Sequence, residues 1–145
     1  MSTKSRPRIL VGKVGLDGHT TGVYAVSKGL SDAGFEVVFG GIRLTPAQLA
    51  GMALQEDVDL VGVSVLSGAH LTVARGLIDA LAAKGLSNLP VVVGGIVPPD
   101  DIPKLKALGV RDVFTPGTLM PEIAERIRRT LGPSGSPESS RKKGV

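Results

Sequence analysis

The side chains best suited to ligate a metal or move a proton are two histidines, His19 and His70, in a chain of 145 residues that contains no cysteine. Thiolate nucleophiles, thiolate metal sites and a disulfide framework are thereby excluded. His19 lies in the segment Val14-Gly-Leu-Asp-Gly-His-Thr-Thr-Gly22, which is glycine-rich and longer than a simple turn requires. A neutral imidazole donates a lone pair to a metal through one nitrogen. It is oriented and made more basic when the other nitrogen donates to a carboxylate. Asp17, two residues earlier, supplies such a carboxylate, and Gly22 lets a bulky planar ligand or the backbone come close. His70 has no carboxylate two residues before it, and is expected to be structural or peripheral.

Stepping along the chain, short runs rich in Val and Ile alternate with stretches whose apolar residues recur every three or four positions. This pattern signals alternating strands and helices. Strands are expected at 8–13, 35–39, 60–64, 89–93 and 112–115, and helices at 21–33, 45–56, 71–84, 99–108 and 121–131. Thr45-Pro46 has the chemistry of a cap and first helical residue, while Gly34, Gly85 and Gly109 follow helical stretches as stops. Leu60-Val-Gly-Val-Ser64 and Leu89-Pro-Val-Val-Val93 are apolar almost throughout, as strands covered on both faces must be. The expected fold is α/β, a doubly wound five-stranded parallel sheet. Its ligand site is expected outside the carboxyl ends of the strands.

Three loops at those ends carry unusual sequence together. Leu16-Asp-Gly-His-Thr-Thr-Gly22 follows the first strand, Ser64-Val-Leu66 the third and Gly94-Gly95 the fourth. With these residues the chain resembles the cobalamin-binding domain of base-off/His-on corrinoid enzymes. Within that family it is most similar to the cobalamin domain of acyl-CoA mutases of the methylmalonyl-, isobutyryl- and 2-hydroxyisobutyryl-CoA type. Lys13-Val-Gly-Leu-Asp-Gly-His19, Gly94-Gly-Ile-Val-Pro-Pro99 and Pro116-Gly-Thr118 carry the closer likeness, which spans about 6–131.

The resemblance implies a flavodoxin-like (Rossmann-like) domain over 6–131 with strand order 2-1-3-4-5. It implies adenosylcobalamin as cofactor, with His19 as the axial ligand to cobalt in place of the cofactor's own benzimidazole base. Asp17 then hydrogen-bonds His19, and Lys13 and Asp17 tune it. The nucleotide tail enters a slot beside the sheet, lined by Ser64 and Leu66, with Gly94 and Gly95 keeping the wall thin. The implied cofactor-contacting set is Asp17, Gly18, His19, Thr20, Thr21, Gly22, Ser64, Leu66, Ser67, Gly94, Gly95, Gly117 and Thr118. The acyl-CoA-binding barrel of a complete mutase is absent from the chain. The resemblance therefore implies a small subunit, inactive alone and with no catalytic residue of its own, whose large partner binds the acyl-CoA for a radical carbon-skeleton rearrangement. The alternative is a stand-alone cobalamin carrier or chaperone, or a corrinoid methyl carrier. The latter usually has an added helical bundle that this chain has no length to encode.

Each of these residues also has an ordinary structural use. His19 can be a polar loop residue, and Asp17 a cap for the following helix. Lys13 can place its charge in solvent or stabilise a carboxylate. Ser64 can satisfy backbone groups, Leu66 can be core, and Gly94-Gly95 can form a tight turn. Thr118 can contact the tail or cap the last helix. A receiver domain of the same topology would need a carboxylate cluster at the strand ends, and the third strand ends in Ser64 instead.

Composition bounds the remaining classes. Hydrophobic residues make up 42% and charged residues 21% of the chain, and the longest apolar runs are far short of a membrane span. Ile9 to Val11 is too short for a signal-peptide core, so a cytoplasmic location is expected, with no membrane partner. The net charge of +4 is weighted toward the two ends, and no aromatic stacking pattern accompanies it, so no nucleic-acid partner is expected. The segment 132–145 lacks the apolar content to offset ordering entropy and is expected to be a disordered tail.

Overall fold

In the computed structural model residues 6–15, 21–65 and 68–132 are described, and expectations for 16–20, 66–67 and 133–145 lie outside them. Asp17, Gly18, His19, Thr20, Leu66, Ser67 and most of the expected tail are in that second group. The strands are β1 (Arg8–Val14), β2 (Glu36–Leu44), β3 (Leu60–Ser64), β4 (Val91–Gly94) and β5 (Asp112–Phe114). Between and after them lie α1 (Thr21–Asp32), α2 (Pro46–Glu56), α3 (His70–Ala83), α4 (Asp101–Leu108) and α5 (Met120–Leu131). The sheet order is β2-β1-β3-β4-β5 with every pairing parallel, as expected.

Side chains of successive strand residues point to opposite faces, so each strand contributes to two cores. Leu10, Val61, Val63, Val91, Val93 and Val113 pack beneath α2, α3 and α4, while Ile9, Val11, Leu60, Val92 and Phe114 pack beneath α1 and α5. The helices answer with stripes of matching period. α3 buries Val73, Ala74, Leu77 and Leu81, and α5 buries Ile123, Ala124, Ile127 and Leu131. Each fully buried Leu or Ile is worth roughly 1.5–3 kcal/mol of transfer free energy, which makes this two-faced burial the main force fixing the layers.

Local chemistry sets the boundaries. Thr45 and Pro46 begin α2 as expected: the Gln48 N–H donates to Thr45 Oγ1 at 3.1 Å, and the Thr45 N–H donates to Gln48 Oε1 at 2.9 Å. β4 begins at Val91 rather than 89, because Pro90 has no N–H to donate to the ladder; its carbonyl accepts from the Val61 N–H at 3.0 Å. The largest departure is β2, which does not stop at Phe39 but runs on to Leu44 through Gly40 and Gly41. Between Val11 and Val14 on β1, β2 advances from Phe39 to Leu44, so β2 bulges outward by the extra residues. Gly41, at φ +115°, adopts the left-handed conformation within the bulge.

Candidate functional site

The two faces of the sheet are not equally filled. On the α1/α5 side, β1 presents Ile9, Val11 and Lys13, β3 presents Leu60, Gly62 and Ser64, and β4 presents Val92 and Gly94. Toward the carboxyl edge the two central strands thus offer two glycines and a serine where the opposite face offers valines. The helices bridge over this shortfall rather than collapse into it, and a cavity of about 550 Å³ remains between sheet, α1 and α5. That volume falls within the range typical of small-molecule sites, roughly 300–1,000 Å³.

Seven residues singled out in the sequence come together here: Lys13, Gly22, Ser64, Gly94, Gly95, Gly117 and Thr118 all line the cavity. Thr21 opens α1 beside Gly22. Lys13 and Gly22, which both line the cavity, lie on either side in sequence of the segment 16–20 that contains Asp17 and His19. A Cβ added to Gly22 or Gly117 would meet no atom of the described chain within 4 Å, so at both places bare backbone adjoins open space.

Two alternatives are corrected by the geometry. Lys13 does not extend into solvent: it is 1% exposed and is the one charged group among the described lining residues. Thr118 does not cap α5, whose N-cap is Leu119 with no side-chain bond. Its hydroxyl donates instead to the Thr115 carbonyl at 2.7 Å, closing the Thr115–Thr118 turn at the cavity wall and leaving the oxygen's lone pairs available.

Gly95 plays a different part from Gly94. With φ of +149°, it passes so near the β3 exit that an added Cβ would lie 2.0 Å from the Val65 carbonyl oxygen. The Val65 N–H donates to the Gly94 carbonyl at 3.0 Å, and the Gly95 N–H to the Phe114 carbonyl at 3.1 Å. Three loop exits are thereby stitched into one wall. On the far side α5 is clamped to β5: Arg126 hydrogen-bonds Asp112 through two nitrogens and the Val113 carbonyl through one, with its guanidinium 4.6 Å from the Phe114 ring centre. Burial raises the Asp112 pKa, but the Arg126 bonds and the Val113 N–H outweigh it and hold the carboxyl below its ordinary value.

His70 lies on the other face. The carboxylate that is missing nearby in the sequence arrives from α4, as Asp101 Oδ2 sits 2.7 Å from His70 Nε2. His70 is 4% exposed and does not line the cavity. The hydrogen bond from His70, opposed by desolvation and aided by Lys104, holds the Asp101 carboxyl below its usual range.

The motif reading did not find Val11, Gly62, Ala25, Val26, Phe114 or Met120, which also line the cavity. For the strand residues a signal was present: Val11 precedes Lys13 by two and Gly62 precedes Ser64 by two, which puts each pair on one face. The helix residues carry no motif of their own and are selected by tertiary packing. The assembled lining is largely apolar, with Lys13, Ser64, Thr115 and Thr118 as polar anchors. Such a site suits a flat, mostly apolar group with a few polar positions. Among the described residues no cluster of three or more His, Asp or Glu is placed to hold a free metal ion.

Residues 7–124 match the family model described as the B12 binding domain. The chain is 41% identical over 129 residues to the 2-hydroxyisobutanoyl-CoA mutase small subunit of Aquincola tertiaricarbonis, covering 89% of this chain and 95% of that one. It is 43% identical over 126 residues to the methylmalonyl-CoA mutase large subunit of Streptomyces virginiae, covering 87% of this chain but only 17% of that much longer protein. Among solved structures, a cobalamin-binding protein from Desulfitobacterium hafniense DCB-2 superposes with a TM-score of 0.75 at 26% identity, over 88% of this chain and 60% of that one. With the cavity at the carboxyl edge, the loop chemistry and the family match in agreement, the chain belongs to the B12-binding domain family.

Proposed function

We propose that this chain is the cobalamin-binding small subunit of an adenosylcobalamin-dependent acyl-CoA mutase. The observation that carries the reading is the apolar cavity beneath the carboxyl edge, bounded by Lys13 and Gly22 at the two ends of the His19 loop. Its size and lining fit the nucleotide tail of cobalamin: apolar walls for a benzimidazole, and a few hydroxyls for its polar positions. Near-complete coverage of a relative described as a mutase small subunit supports the division of labour.

In this reading His19 would ligate cobalt, Asp17 would accept the hydrogen bond that fixes the imidazole, and Lys13 would stabilise the Asp17 carboxylate. The Ser64 hydroxyl bonds the displaced base, Leu66 and Ser67 complete the pocket, and Gly18, Thr20, Thr21 and Gly22 shape the approach. Gly94, Gly95, Gly117 and Thr118 form the thin wall. When bound, the cofactor supplies the radical chemistry of a carbon-skeleton rearrangement. The chain's own work is to hold the tail, orient the lower ligand and exclude water from the slot. The acyl-CoA would be bound by a large subunit, in an assembly we place in the cytoplasm. None of the helices in the described residues is long and apolar enough to cross a membrane.

The test is electron paramagnetic resonance of the purified chain with cob(II)alamin. The expected spectrum shows superhyperfine coupling to one protein nitrogen, lost in His19→Ala. An identical spectrum in the variant would rule out His19 as the ligand.

A further inference from the structure

Among the described residues two non-glycines adopt positive φ, Asp57 at +54° and Arg43 at +56°. Asp57 is accounted for. It is the C-cap of α2, with its N–H directed at the Ala53 and Leu54 carbonyls, and Asp is among the residues that tolerate the left-handed region. Arg43 has no such excuse. It sits in the bulged end of β2, where Gly41 already turns left-handed at φ +115° and where a second glycine would carry no Cβ penalty. Its side chain is exposed, and no carboxylate among the described residues pairs with it. A strained backbone that holds an exposed cation outward, with no ion pair to another described residue, points to a contact beyond the described fold.

The position of Arg43 says which contact. Leu44 pairs with Val14, and the Gly15 N–H donates to the Leu44 carbonyl at 3.1 Å, so Arg43 stands on the carboxyl edge beside the exit of β1 toward the His19 loop. β2 contributes no residue to the cavity, so a molecule held in the cavity does not account for the guanidinium. A cation on an edge strand also discourages sheet-to-sheet pairing, but arginine does that at any backbone angle and needs no strain. In the small-subunit reading a cofactor held at this edge has to reach an acyl-CoA bound by the large subunit, so that subunit must approach the edge from solvent. We infer that Arg43 is a docking residue for the acyl-CoA-binding subunit, held by the β2 bulge so that its guanidinium meets a carboxylate on that subunit. The inference rests on the small-subunit reading above. The bulge re-aims the side chain, and the left-handed angle is the cost of that aim.

The experiment measures association of the adenosylcobalamin-loaded chain with the acyl-CoA-binding large subunit from the same organism, at low and high salt, together with cobalamin affinity and melting temperature. Charges at the rim of an interface act chiefly through the association rate and its salt dependence. Arg43→Gly is expected to melt at or above the wild-type temperature and to bind cobalamin unchanged. Its association rate at low salt should be about 3- to 10-fold slower, with the difference closing at high ionic strength. Arg43→Lys should keep most of the wild-type rate. Association unaffected by Arg43→Gly at low salt would overturn the assignment while leaving the small-subunit reading intact. A loss of cobalamin affinity with unchanged association would overturn it too, by placing Arg43 in the cofactor's site. If the wild-type chain fails to associate, the small-subunit reading fails and takes the Arg43 assignment with it.

Discussion

At Gly95 the chain leaves β4 in a conformation that leaves no space for a side chain, because the Val65 carbonyl oxygen occupies the place where a Cβ would go. Backbone, unlike the tip of a flexible side chain, cannot move aside cheaply. Gly95→Ala is therefore expected to force apart the exits of β3 and β4, breaking the Val65–Gly94 hydrogen bond and widening the cavity wall. A cost of roughly 2 kcal/mol or more follows from strain and a lost buried bond together. Gly94→Ala meets only the Phe114 carbonyl oxygen at 3.8 Å, an ordinary contact, and should cost far less. Denaturant melts of the two variants check this order, and equal destabilisation would refute it. The sequence showed two adjacent glycines at the expected ligand edge, but not which was structurally obligatory. That distinction depends on a through-space approach between residues 30 positions apart, and no local pattern records it.

Among the elements, α3 and α4 are tied at their amino-terminal ends by His70 and Asp101, with Lys104 contributing a second, exposed partner to the same carboxylate. Because Asp101 titrates below its ordinary value of 3.8 in the folded chain, the folded state binds fewer protons than the unfolded one in that range. The stabilisation from this pair is therefore fully present above about pH 4 and is lost as the pH falls through the lowered folded value. Asp112, held low on β5 by Arg126, adds acid sensitivity of the same sign. Asp101→Asn is expected to be less stable than wild type at neutral pH, with the gap narrowing as the pH drops below 4. Urea melts across that range measure it, and a gap that widens in acid would show that the pair contributes nothing through charge. Helix number and the α2 cap were readable from periodicity and capping chemistry, whereas the strand order came from the family resemblance. The full length of β2 was not, because Gly40-Gly41 has the composition of a turn and only pairing with β1 makes it a bulge. The His70–Asp101 link was also out of reach, since its partners lie 31 residues apart.

Across the described residues, the valines of the sheet pack into a continuous core on the α2/α3/α4 face while a slot remains on the other, so a ligand that fills the slot adds to the stability of the working form. Ligand that binds only the folded chain adds about 2.7 kcal/mol at 100 times its dissociation constant, which for a domain of this size is a rise in melting temperature of roughly 10 °C. Cobinamide, which has the corrin ring but no nucleotide tail, should bind more weakly and so give a much smaller rise at the same concentration, because the slot stays empty. Gly62 offers the complementary test. A Cβ there would touch Val92 at 3.6 Å and nothing closer, so Gly62→Val enters the slot without colliding with backbone. The variant should melt higher than wild type without cofactor, since a β-branched residue replaces glycine in a strand, and should lose most of the increment that cobalamin gives. An undiminished cobalamin increment in Gly62→Val would mean that the tail lies elsewhere. The cavity would then be a packing defect, and the glycines and serine on β3 and β4 would need another explanation.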